Sequence, residues 1–199
     1  MFSLRSLFRT IMVPALLLPV LACAPKMKAP QSARPLSPTF APLNSLSALV
    51  EASVTRRGRH RNFQAALLAK APHFLRISFL DDLGREIAVL AADGRRVVWW
   101  DRDRDEVEVY PQNGDALQRA LKLPVGVEEF VQILLAGPTA VPPDAKFQLQ
   151  TKNLQEDPEY PRNWYWQFRK PRADLEMEFM DLEANPAINP ERFELEPTQ

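Results

Sequence analysis

Asp174-Leu175-Glu176-Met177-Glu178-Phe179 alternates acidic and apolar side chains without a break. A period of two over six residues is the signature of an extended strand with one wet and one dry face. Just upstream, Trp164, Trp166 and Phe168 interleave with Tyr165 and Gln167, so three large aromatics share one side of the preceding strand. Downstream, Phe193 and Leu195 interleave with Arg192, Glu194 and Glu196 and predict a further strand over Arg192–Glu196.

Working back from this end, the same period predicts strands at Glu51–Arg57, Asn62–Lys70, Phe74–Leu80, Glu86–Ala91, Arg95–Trp100, Glu106–Tyr110, Lys146–Thr151, Trp164–Arg169 and Asp174–Met180. Asp81-Asp82-Leu83-Gly84, Ala92-Asp93-Gly94 and Asp101-Arg102-Asp103-Arg104-Asp105 punctuate them as short turns, which favours antiparallel hairpins in sequence order. Leu43, Leu46, Leu49 and Val50 instead fall at helical spacing and predict a short helix at the start of the domain. Gly114–Leu121 reads as a helical turn or two. Val127-Glu128-Glu129-Phe130-Val131-Gln132-Ile133-Leu134-Leu135 reads as an amphipathic helix that Gly137-Pro138 ends. The expected fold is therefore α+β and mainly antiparallel, with short helices over one broad apolar face of the sheet. Periodicity leaves open whether that face is a filled core or the wall of an incompletely closed barrel.

Composition removes several functions. The chain has 199 residues, 25 basic and 25 acidic side chains, 19 prolines and six glycines. Cys23 is its one cysteine, so neither an internal disulfide nor a thiolate metal site is expected. The absent basic surplus speaks against nucleic acid as a partner. There is no Gly-x-Ser-x-Gly elbow, phosphate-binding glycine loop or His-Glu-x-x-His, and His60 and His73 stand beside no candidate nucleophile. No enzyme, metal or cofactor is expected. Asp101, Asp103 and Asp105 are separated by arginines and lack the glycine and glutamate of a calcium loop. Arg56-Arg57-Gly58-Arg59-His60-Arg61 is the one basic cluster, read either as a polar turn or as a contact for anionic lipid or an acidic carrier.

The charge is unevenly placed. Arg5 and Arg9 precede the apolar run 11–22, an arrangement of basic n-region and h-region that predicts an export signal over residues 1–22. Pro14 and Pro19 interrupt the run, and about 20 apolar residues are needed to span a bilayer. Val20-Leu21-Ala22-Cys23 resembles the bacterial lipobox, which implies cleavage before Cys23 and lipidation of its thiol. Ala24, in place of the aspartate that retains such proteins at the inner membrane, implies the periplasmic face of the outer membrane. Residues 24–42 hold five prolines and three bases and predict an extended tether, reaching roughly 60 Å in polyproline II geometry. Residues 43–199 then form one domain. Five of the bases and none of the acids fall before residue 43, which leaves this domain a net charge of −5.

Taken in order, the lipobox, the tether, the short helix, the hairpin Asp82-Leu83-Gly84-Arg85-Glu86-Ile87-Ala88-Val89-Leu90 and the helix-plus-break 127–138 resemble the LolA/LolB superfamily. Within it they resemble the outer-membrane lipoprotein receptors of the LolB branch, and the resemblance covers the whole chain. It implies a monomeric, half-open barrel of about ten to eleven strands, whose helices cover a concave apolar cavity. That cavity would receive acyl chains of lipoproteins from a periplasmic LolA-like carrier and pass them to the outer membrane. Leu83, directly before the turn glycine, maps onto the residue that assists membrane insertion; on the sequence alone it either folds back or touches a partner. The cavity candidates are Ile77, Phe79, Val89, Val97 and Trp99 on the first strands, Phe130 and Leu134 on the helix, and Trp164, Trp166, Met177 and Phe179 near the C-terminus. The C-terminal half, with its Asn185-Pro186-Ala187-Ile188-Asn189-Pro190 turn, matches in pattern only. Another apolar cargo, or an interaction lipoprotein with a filled core, therefore stays open.

Overall fold

A computed structural model of the chain describes residues 42–112, 115–142, 144–152, 160–169 and 172–195. Signal, Cys23 and nearly all of the tether lie outside the described residues. Nine strands form one antiparallel sheet: β1 (Ser45–Arg56), β2 (Arg59–Lys70), β3 (Phe74–Leu80), β4 (Glu86–Asp93), β5 (Arg96–Asp101), β6 (Glu106–Pro111), β7 (Phe147–Lys152), β8 (Asn163–Arg169) and β9 (Arg172–Ala184). Their spatial order is β6-β5-β4-β3-β2-β1-β9-β8-β7. β1 to β6 form one meander, β7 to β9 a second, and the antiparallel pairing of β1 with β9 joins them. The outer strands β6 and β7 are not neighbours, so the sheet stays open, as expected for an incomplete barrel.

The chain crosses from one free edge to the other through α1 (Ala116–Ala120), α2 (Val127–Ala136) and a 3₁₀ turn at Gly137–Ala140. α2 lies over β1, β2 and β3, with Val127, Phe130, Val131, Ile133, Leu134 and Leu135 buried beneath it. Glu128 and Glu129 occupy its first turn, where carboxylates suit the helix dipole. Gly137, at φ 76°, ends the helix by donating its N–H to Ile133 O; Pro138 prevents continuation.

Three sequence expectations change. Residues 43–50 are not helical: Leu46, Ala48, Val50 and Ala52 point inward at spacing two along β1, which is continuous with the strand expected at Glu51–Arg57. Leucines at 43, 46 and 49 satisfy a helix equally well, and pairing on both sides, to β2 and β9, decides between the two. Nor are residues 192–195, the described part of the strand expected at Arg192–Glu196, extended in a ladder. A 3₁₀ turn at Pro190–Phe193, capped by Asn189 Oδ1 accepting from Glu191 N–H, drives Phe193 against Phe74, Leu68 and Ile188. The sheet thus has nine strands among the described residues, not ten or eleven.

Residues paired directly across an antiparallel ladder share a face, so the register sorts every strand into an inner, helix-covered face and an outer one. Ala48, Leu67, Ile77, Leu90 and Trp99 form one inner row. Leu175, Met177 and Phe179 of β9 and Trp164, Trp166 and Phe168 of β8 continue that face. The carboxylates of Asp174, Glu176 and Glu178 take the outer one.

Candidate functional site

The inner face is divided into two unlike halves. Under β7, β8 and β9 it is filled: Trp164, Trp166, Phe168, Phe147 and Phe130 pack ring against ring, with centroids 5.2–6.2 Å apart. Tyr160 stacks on Trp164 and donates its hydroxyl to Leu134 O at 2.8 Å; its burial pushes the phenol pKa well up. Trp164 Nε1 donates to Pro161 O. This half is core, and it contains the predicted residues Leu134, Trp164, Trp166 and Phe179, with Val97 also fully buried in the same cluster.

The other half is not filled. Between β1, β2, β3 and β9 on one side and the α1–α2 connector on the other lies a cavity of about 270 Å³. Val50, Ala52, Val54, Phe63, Ala65 and Leu67 form its floor; Ile77, Phe79, Leu175 and Met177 stand at its sides; Leu121, Leu123 and Phe130 cover it. Small residues create the space. Ala52 stands directly between the larger Phe63 and Met177, and Ala65 directly across from Phe79. Phe63, Phe79 and Trp99 form a half-buried aromatic row, with centroids 5.1 and 5.6 Å apart. One polar side chain reaches the lining: Arg61, from the inner face of β2.

Of the eleven predicted cavity residues, Ile77, Phe79, Phe130 and Met177 line the space, and Trp99 adjoins Phe79. Val89 does not belong: it pairs with Ser78 and Trp100, and that register turns its side chain to the outer face. The reason is the run Ile87–Ala92, apolar on both faces, in which period two marks no side. The β1–β2 lining was missed in two ways: Val50 lay in a segment that reads as helix, and Ala52, Val54, Phe63, Ala65 and Leu67 lay in predicted strands whose small and mixed side chains mark no apolar face as clearly as the aromatics of β8.

A wider concavity of about 790 Å³ lies over polar residues that include Glu51, Ser53, Gln64, Tyr165, Glu176 and Glu178. Its lining mixes these polar groups with apolar ones such as Phe63, Leu80 and Ile87, so it suits an acyl chain less well than the cavity under the connector.

Leu83 is 76 % exposed, at the tip of the β3–β4 turn. Asp81 builds that turn. Its Oδ1 accepts from the N–H groups of Leu83 and Arg85, both at 2.9 Å, and its carbonyl accepts from Gly84 N–H. The Arg85 guanidinium closes on Asp81 Oδ2 at 2.6 Å and, with these backbone donors, holds the carboxyl below its ordinary pKa. Gly84, at φ 75°, takes a conformation that side chains strain to adopt. The leucine is thus held outward by a braced turn.

No protein-family profile and no curated protein sequence matches the chain. Solved structures resemble it at low identity. A LolA superfamily protein from Nitrosomonas europaea overlaps 79% of this chain and 93% of its own, at 7% identity and a TM-score of 0.44. A putative outer membrane lipoprotein-sorting protein domain from Vibrio parahaemolyticus covers 77% and 91%, at 6% identity and a TM-score of 0.48. A DUF1329 family protein from Desulfovibrio piger covers 76% and 90%, at 10% identity and a TM-score of 0.41.

Proposed function

We propose that the chain is a lipid-binding envelope lipoprotein, anchored through Cys23 to the periplasmic face of the outer membrane. In this role it takes acyl chains from a periplasmic carrier of the LolA kind, delivers them to the membrane, and so takes part in lipoprotein localisation. The observation that carries this reading is the open apolar cavity between the sheet and the α1–α2 connector, with hydrocarbon on all sides and one arginine at its lining. Transfer then proceeds by differential burial. Each CH₂ removed from water contributes about 0.8 kcal/mol, so a long chain leaves one shelter only for another, and no covalent step or change of protonation is required. Leu83 provides the contact with the receiving bilayer: burying a leucine contributes roughly 1.5–3 kcal/mol, enough to bias an encounter and too little to hold it.

Size constrains the cargo. Pockets for small ligands span about 300–1,000 Å³, so a cavity of about 270 Å³ takes part of one chain as it stands. A second long chain requires Leu121 and Leu123 to move away from the sheet. Titration of the full chain with a displaceable fluorescent acyl probe, together with native mass spectrometry of the purified protein, tests the reading. Saturable binding that long-chain alcohols displace is the expected result. No binding and no co-purifying lipid would instead favour an interaction protein whose interior is ordinary core, as it is beneath β7–β9.

A further inference from the structure

The inner-face register continues past the point where the apolar lining stops. On β2 the inward sequence runs Leu67, Ala65, Phe63, Arg61, Arg59, and on β1 it runs Val50, Ala52, Val54, Arg56. Arg61 lies opposite Val54 and Arg59 opposite Arg56, so three guanidinium groups succeed the hydrocarbon floor on the same face of the same hairpin. Arg61 lines the cavity itself. Arg56 shares a second pocket, of about 350 Å³, with Arg119 from α1 and Lys122 from the connector that covers the cavity. Asp115 is the carboxylate in that pocket, and Arg119 already holds it at 2.8 Å. Among the described residues no carboxylate forms a salt bridge with Arg56, Arg59 or Arg61. Arg59 and Arg61 are exposed and Arg56 is half-buried, so the three guanidinium groups stand at the open end of the apolar floor, where a charged headgroup can reach them from solvent.

Resting on the assignment of the cavity as the acyl site, we infer that this rim selects an anionic amphiphile. Its hydrocarbon lies on the β1–β2 floor, and its carboxylate or phosphate headgroup is held by Arg61 and Arg56, with Arg59 and Lys122 adding charge. Guanidinium groups suit this because they grip carboxylate and phosphate oxygens through paired N–H donors. The rim also gives the ligand a direction: chain inward beneath α2, headgroup at the hairpin end.

Dodecanoate and dodecanol, which share a chain length and differ in headgroup charge, test the inference at pH 7.5 and low salt on the full chain. Dodecanoate is expected to bind about fivefold to tenfold more tightly, an advantage that shrinks as salt is raised. In Arg56→Gln/Arg61→Gln the ratio of dodecanoate to dodecanol affinity should fall to about one, whatever the affinity for dodecanol itself becomes. Equal binding of the two probes by the unmodified chain overturns the headgroup rim and leaves the acyl cavity standing; absence of binding by either overturns the cavity and the rim together. A preference that survives in the double variant also overturns the assignment. So does arginine-dependent binding to phosphatidylglycerol vesicles over phosphatidylcholine vesicles without any dodecanoate preference, because the rim then reads a bilayer surface.

Discussion

A leucine between an aspartate and a glycine in a short turn is an odd residue choice, and at this scale Leu83 shows what a sequence can and cannot reveal. Its placement in a β3–β4 turn was legible from Asp81-Asp82-Leu83-Gly84, because an aspartate bonds the backbone of its own turn and a glycine supplies the positive φ such a tip requires. Its outward direction was not, because a tucked and a projecting leucine leave the same letters. The Asp81 bonds settle the direction by fixing the backbone on either side. Leu83→Glu touches no packed neighbour and should change stability by less than about 0.5 kcal/mol. It should leave acyl-probe affinity unchanged yet slow probe transfer to vesicles several-fold, measured by fluorescence on mixing. Transfer at the unmodified rate would remove the bilayer contact assigned to this residue.

At the scale of elements, strands bounded by clear turns were legible, and those defined by partners were not. β3 runs from Phe74 to Leu80 as its alternation dictates, and α2 follows from its apolar stripe and the Gly137-Pro138 stop. β1 was obscured because its identity resides in β9, more than a hundred residues away, and no local window contains that information. The segment 192–196 failed in the opposite sense. Its two apolar residues alternate, but Pro190 and the Asn189 cap set a turn before a strand can begin. The cavity is likewise a property of elements, since Ala52 and Ala65 matter for what stands across from them. Ala52→Leu/Ala65→Leu fills the floor and should lower acyl-probe affinity about tenfold, while the thermal midpoint stays level or rises. An unchanged affinity would place the probe elsewhere on the protein.

For the whole molecule, the registers put the β1–β2 tip with its arginines and the β3–β4 tip with Leu83 at one end of the sheet, since β2 and β3 pair from Gln64–Leu80 back to Lys70–Phe74. The sheet's polarity therefore puts the proposed headgroup rim and the proposed bilayer contact at one end of the domain. Cys23→Ala should abolish metabolic labelling by palmitate and deplete the chain from the outer-membrane fraction; labelling that persists would discard the anchor. The seam between β1 and β9 has a further, temporal consequence. β1 emerges early, yet the partner for its second edge, from Ala173 to Ala184, comes last. A contact of that sequence separation is slow to form, and until it forms a long hydrophobic edge stays unsatisfied. The sheet cannot be completed until residues 173–184 have been made, so the same pairing that joins the two meanders leaves the nascent domain with one edge of β1 unpaired, and dependent on protection from aggregation, until its last strand arrives.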